Sequence, residues 1–249
     1  MSKIVAAIDN SAAARPVLSM AIALGVVLGA DVDTIHVAGD TEQTAGAIAE
    51  SFGLTCSQLR GDPFDKITAR AGGDDVVAVV VGARRRVRGS HLGHLARQIA
   101  DALEKPVLVV PPEAEPRRRI RTVVIAMEGT PAKARSVKAA IDLASASDLE
   151  LVVVHVDDED SIPSFSDQVA HETEAYTNEF LARYLPGAPA ARLEFRVGVP
   201  ADEIIDLSQS VTADLVAVGW PHTGDPDRGA VAQQILDRSH LPVLLVAVT

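Results

Sequence analysis

Between Gly82 and Gly93 the chain carries four arginines, Arg84, Arg85, Arg86 and Arg88, and no acidic residue. Guanidinium forks grip phosphate or carboxylate oxygens through paired N–H donors, so this charge density suits an anion. The same run also reads as a solvated surface loop, as charge runs often do. His91 and His94 follow in the order His-Leu-Gly-His, and an imidazole at His94 could add a phosphate contact. Asp9 ends the first apolar run and is suited to capping the helix after it. His36 and His155 each precede a valine at the end of an apolar run, which points to a shared packing or hydrogen-bonding role. Neither has companions spaced for a metal. Cys56 reads as a small buried hydrophobe near a strand rather than a reactive thiol. The pairs Asp74-Asp75 and Asp157-Asp158 sit at strand boundaries with nothing to polarise them, and read as turn solvation. No nucleophile elbow, lysine-bearing phosphate loop or zinc motif is present.

The arginines need a strand to lead into them and a helix to lead away. Residues 76–81 are an unbroken run of Val and Ala, bounded by Asp74-Asp75 and Gly82. With no polar face, such a run predicts a strand covered on both sides of a parallel sheet. A helix opening near residues 90–93 and a second apolar run at 106–110 complete a strand–helix–strand crossover. The same order returns as an apolar run at 213–218, Gly219, a loop, Gly229, a helix through Leu236 and a run at 242–247. Loops at the carboxyl ends of strands are where open α/β sheets hold ligands.

Residues 4–8 predict the first strand. Val17, Leu18, Ala21, Ile22, Leu24 and Leu28 then recur at helical spacing. Residues 31–37 and 54–59 predict further strands, residues 41–52 a brief helix, and residues 64–71 an amphipathic helix after Gly61-Asp62-Pro63. Residues 111–116 contain three prolines, cannot continue a central strand and read as a stiff linker. Arg117-Arg118-Arg119 reads as a solvated edge beyond it.

From residue 123 the pattern restarts. Glu128-Gly129-Thr130 replaces Asp9-Asn10-Ser11, and Pro131 takes the first helical position after a Thr cap. Asp9 to Glu128 and His36 to His155 are both separations of 119 positions. Gly61 to Gly198 and Gly82 to Gly219 are both 137, and Pro106 to Pro242 is 136. The 18 additional positions fall in residues 161–192, where Val169, Thr173, Tyr176, Phe180 and Tyr184 predict a longer helix. A fixed offset with isolated gaps identifies an internal duplication. The expected organisation is a domain at 1–112, a linker at 113–119 and a second domain at 120–249.

Each half runs from a strand ending in Asp or Glu to a helix and a strand ending His-Val, then Gly-x-Pro. An apolar strand ending in Gly, a loop with a helix-opening Gly, and a Pro-Val-Leu strand complete it. In this order each half resembles a universal stress protein domain, and the whole chain resembles a tandem pair. The resemblance implies two Rossmann-like α/β domains, each a five-stranded parallel sheet flanked by helices. It implies pairing through the last strands, here residues 107–110 and 243–246, as an intramolecular pseudo-dimer or a homodimer. It also implies a binding protein of the stress response rather than an enzyme, with ATP or another adenine nucleotide as ligand in many members. The site residues carried over are Asp9, Val37 (through its backbone, to adenine), Gly82 and Gly93, with Arg84, Arg85 and His94 as phosphate contacts. The family's phosphate loop is Gly, two residues, Gly, nine residues, then Gly-Ser or Gly-Thr. Its glycines bring backbone N–H groups to the phosphates at a helix N-terminus. Here Arg85 replaces the second glycine, His94 follows Gly93, and the loop is two residues short. In the second half His222 takes the middle position, Ala230 follows Gly229, and Asp225 and Asp227 would repel an anion. Any retained site is therefore expected in the first half.

Two other readings stand beside this one. The first is an adapter that binds no nucleotide and acts through protein contacts. The second is nucleotidyl transfer, because His91-Leu92-Gly93-His94 resembles the His-x-Gly-His signature of related-fold transferases. In those enzymes the motif follows the first strand, whereas here it follows the fourth. A net charge of −11 argues against nucleic-acid and anionic-membrane partners. One cysteine and an N-terminus that enters a strand at once fit the cytoplasm.

Overall fold

The computed structural model describes residues 1–11, 13–38, 44–83, 94–127, 149–157, 191–221 and 229–248. Its valine-rich runs become ten strands: β1 (Lys3–Ile8), β2 (Asp31–Ala38), β3 (Cys56–Arg60), β4 (Val76–Gly82), β5 (Val107–Val110), β6 (Thr122–Ala126), β7 (Glu150–Asp157), β8 (Ala191–Val197), β9 (Leu215–Pro221) and β10 (Val243–Val248). They lie side by side in the order β3-β2-β1-β4-β5-β10-β9-β6-β7-β8. Every neighbouring pair is parallel except β5 with β10, which run antiparallel and join the halves. The last strands thus pair as expected, Leu108 opposite Leu244.

The registers of the halves coincide residue for residue. Ile4 lies opposite Val32 and Ala78, and Val123 lies opposite Leu151 and Leu215. Val79 faces Val107 as Val216 faces Val243. These are the 119, 137 and 136 offsets of the sequence, expressed as hydrogen-bonded neighbours.

Helices cover both faces because both faces are apolar. Helix α1 (Ala14–Leu28) buries Val17, Leu18, Ala21 and Leu24 against Ile4, Ala6 and Ile8, and ends at Gly29 in the left-handed region, φ 59°. Helix α2 (Thr44–Glu50) adds Ala45, Ile48 and Ala49 to the same cluster. The opposite face holds α3 (Pro63–Ala71), α4 (His94–Ala102), α5 (Pro200–Ser210) and α6 (Ala230–Arg238). Both buried clusters run across the two halves without a break.

Three boundaries differ from the expected ones for local reasons. Leu54 donates its N–H to the Ala49 carbonyl, closing the exit from α2, so β3 begins at Cys56. Helix α3 starts at Pro63 because Asp62 accepts the Asp65 N–H at 3.1 Å, leaving proline in the first turn, where no donor is lost. The segment after β5 is not a free linker. Ala114 and Ile120 are buried in the cluster beneath α1.

Arg117 corrects the expectation of a solvated edge. Its guanidinium pairs with Asp214 at 2.8 Å, and its carbonyl accepts the Ser19 hydroxyl at 2.7 Å. Asp75 corrects another, because Lys3 polarises it at 2.7 Å. The hydrogen bond from Lys3 is the main reason its carboxyl titrates below the ordinary carboxylate range. A depressed value stabilises the fold above the unfolded-state pKa, and this support is lost as pH falls through the folded one. Lys3→Ala is expected to move the Asp75 titration upward, which carboxyl NMR would detect; an unmoved curve would refute the pairing. The helix expected from Pro131 and the longer one marked by Val169, Thr173, Tyr176, Phe180 and Tyr184 lie outside the described residues.

Candidate functional site

In each half the order of strands turns back between its first and fourth strands. In the first half that places the carboxyl ends of β2, β1 and β4 together. Ile8 pairs with His36 and Ala7 with Val81, so the next residues along, Asp9, Val37 and Gly82, share one edge of three adjacent strands. Chain positions 9, 37 and 82 converge there because β1 is central and receives a parallel neighbour on each side. His94 is exposed and opens α4, the helix that follows β4. Arg84, Arg85, Arg86, Arg88, His91 and Gly93 lie outside the described residues.

The convergent residues also have partners of their own. Asp9 does not cap α1, whose N-cap position is Ala13 with no side-chain bond. Its Oδ1 instead accepts the Ser11 N–H at 2.9 Å and the Ser11 hydroxyl at 2.5 Å, closing a local turn. Asn10, which the sequence did not single out, accepts the Ala45 N–H at 2.9 Å and so ties the start of α2 to the end of β1. The only hint was its type, since Asn in a loop often satisfies a helix-opening donor.

The two histidines act alike. His36 Nδ1 lies 2.9 Å from the Ile8 carbonyl, and His155 Nδ1 lies 2.9 Å from the Met127 carbonyl. A carbonyl only accepts, so Nδ1 carries the hydrogen in both. Each ring therefore holds the end of the neighbouring strand, at the residue preceding Asp9 or Glu128. His155 Nε2 also lies 3.2 Å from Asp157 Oδ1, and can donate to it only when both ring nitrogens carry hydrogen.

Gly82 has a packing role. A Cβ there would come within 3.3 Å of Val17 Cγ2, on a buried α1 side chain that would have to give by a few tenths of an ångström. Gly82→Ala is expected to cost about 1–3 kcal/mol of stability by overpacking. Urea unfolding would measure it, and a neutral result would mean that α1 can shift away.

Cys56 is half-buried, and burial, then the Asp33 carboxylate, push its thiol upward. Alkylation by iodoacetamide at pH 7.5 is expected to run about tenfold slower than for an unfolded control. Equal rates would contradict that environment. Among the described residues no group of three His, Cys, Asp or Glu side chains could hold a metal. No described helix is long and apolar enough to cross a membrane.

Residues 119–247, just over half of the 249, match the universal stress protein family. The chain belongs to that family. A universal stress protein from Methanocaldococcus jannaschii is 25% identical over 138 residues, covering 51% of this chain and 81% of that one. A universal stress protein structure from Archaeoglobus fulgidus superposes with a TM-score of 0.69 at 14% identity, covering 98% of each chain. A protein of Pseudomonas aeruginosa PAO1 superposes with a TM-score of 0.72 at 15% identity, over 100% of this chain and 93% of that one. At these identities the structural likeness speaks for the fold alone. That fold is the α/β universal stress protein architecture the resemblance implied, with mostly parallel strands flanked by helices.

Proposed function

We propose that this universal stress protein is a two-domain binding protein of the stress response, with an adenine-nucleotide site in its first domain. The observation that carries this reading is the meeting of Asp9, Val37 and Gly82 at the carboxyl edge of β2, β1 and β4, where the strand order turns. The arginines begin two positions after Gly82 in the chain, whereas Asp225 and Asp227 fall in the corresponding loop of the second half. ATP or a related nucleotide would lay its base toward Val37 and its phosphates toward the arginines and the start of α4. The domains are 1–112 and 120–249, fused copies of one unit, and the coincident registers support that division. Both β5 and β10 are paired on each side, so a homodimer would have to use another surface. The protein works in the cytoplasm without nucleic-acid or membrane partners, as its charge and single cysteine suggest.

Denaturing the purified protein and separating what it releases tests the reading first. Titration of the intact chain with ATP, AMP and cyclic AMP follows. Asp9→Ala and Arg85→Ala are each expected to weaken binding about tenfold, the scale of one lost charge-assisted hydrogen bond. A second reading, the adapter without nucleotide, draws on Asp9 and Gly82 already serving a turn and a helix contact. No released nucleotide and no heat on titration would decide for it.

A further inference from the structure

Trp220, the chain's single tryptophan, ends on the carboxyl edge of β9 and is 6% exposed. Its Nε1–H donates not within its own half but to Asp101 Oδ1, at 2.8 Å, near the end of α4. The antiparallel seam explains the reach. Because β10 opposes β5, the carboxyl edge of β9 lies level with the amino edge of β5, where α4 finishes. The equivalent contact in the other direction would join residue 83 to Asp237 by the offsets of 137 and 136, but Ala83 has no side-chain donor to make it. Side-chain size is exchanged in the same way. Helix α4 buries Ala96, Ile99 and Ala100, whereas α6 buries Ala232, Ile235 and Leu236 at the matching positions. So α4 has an alanine where its counterpart has a leucine, and Trp220, from across the seam, belongs to the same buried cluster as Ala100. A nine-residue helix is about 13 Å long and moves as a unit, so holding Asp101 also sets where the first turn at His94 points.

The geometry points to Trp220 as a positioning residue by which the second half holds α4, and with it the helix N-terminus at the first half's crevice. The link to a ligand rests on the nucleotide reading above; the hold on α4 does not. Trp220→Phe keeps aromatic bulk and deletes the donor, Asp101→Ala deletes the acceptor, and Asp101→Asn keeps one. In hydrogen–deuterium exchange on the intact chain, amides of α4 are expected to exchange about tenfold faster in Trp220→Phe and Asp101→Ala. Asp101→Asn should stay near the parent, and amides of α3 should stay unchanged in all three. A general loss of stability would speed every element together and would overturn the proposal, as would unchanged α4 exchange in Trp220→Phe or an Asp101→Asn protein behaving like Asp101→Ala. ATP affinity is expected to fall about tenfold in the two disrupted variants and to be kept in Asp101→Asn. Faster α4 exchange with unchanged ATP affinity would overturn the link to the crevice. If the parent chain binds no ATP, AMP or cyclic AMP, the nucleotide reading fails separately, and the exchange pattern still decides whether Trp220 holds α4.

Discussion

Asp214→Ala is expected to lower the unfolding free energy by about 3–5 kcal/mol, because one guanidinium and two backbone amides lose the carboxylate they share. The side chain of Asp214 is 6% exposed. One of its oxygens meets the Arg117 guanidinium, and the other accepts the N–H groups of Arg121 and Thr122 at 2.7 and 3.1 Å. Alanine removes the acceptor of both amides at the entrance to β6, and a hydrogen bond to a charged group contributes roughly 1.5–3 kcal/mol. Arg117 itself is one-third exposed and can turn outward. Arg117→Ala should therefore cost less than Asp214→Ala, about 1–3 kcal/mol, since Asp214 keeps both amide donors. For a chain of this length 3–5 kcal/mol corresponds to a fall in Tm of roughly 6–20 °C. Urea unfolding of the two variants would check both size and order. An Asp214→Ala loss below about 1 kcal/mol, or a larger loss at Arg117, would show that the amides find other acceptors.

Leu108→Ala is expected to cost about 2–5 kcal/mol, the usual span for a large aliphatic side chain cut back in a core. Leu108 is fully buried, sits on the seam opposite Leu244, and belongs to the cluster that spans both halves. The cavity would open where four strands from two halves meet, β4, β5, β10 and β9, so neither half can collapse inward to fill it. Because the buried clusters cross the seam, parent and variant should each unfold in one transition, with the variant's shifted as a whole. Two separated transitions in the Leu108→Ala protein would mean that the halves hold together less firmly than the shared clusters imply.

Much of the fold was legible because a strand covered on both faces leaves a strong mark, an apolar run with charged or glycine ends. The offsets of 119, 137 and 136 carried further still, since they map Ile4, Val32 and Ala78 onto Val123, Leu151 and Leu215, which the sheet pairs in the same way. The candidate site was legible only as positions on the sheet edge. Gly82 could be read as room for a phosphate or as room for a helix, because one absent side chain serves both; the proximity of Val17 could only be seen once α1 was placed. Arg117 reads as solvated in a string of three arginines until the fold brings Asp214 to it. Asp75, just before β4, gave no sign of its partner because Lys3 sits on β1. Partners distant in the chain are set by topology, and composition is blind to them.

Joining two like units through β5 and β10 on one polypeptide has an effect that two separate copies could not have. A pair of identical subunits must present the same residues from both sides of its shared boundary. Here one side offers tryptophan and the other alanine, and each molecule always contains both. Dilution cannot part them, and exchange between molecules cannot match like with like. Covalent fusion thus gives the two lobes licence to diverge, one contributing the indole and the other the carboxylate that receives its hydrogen bond.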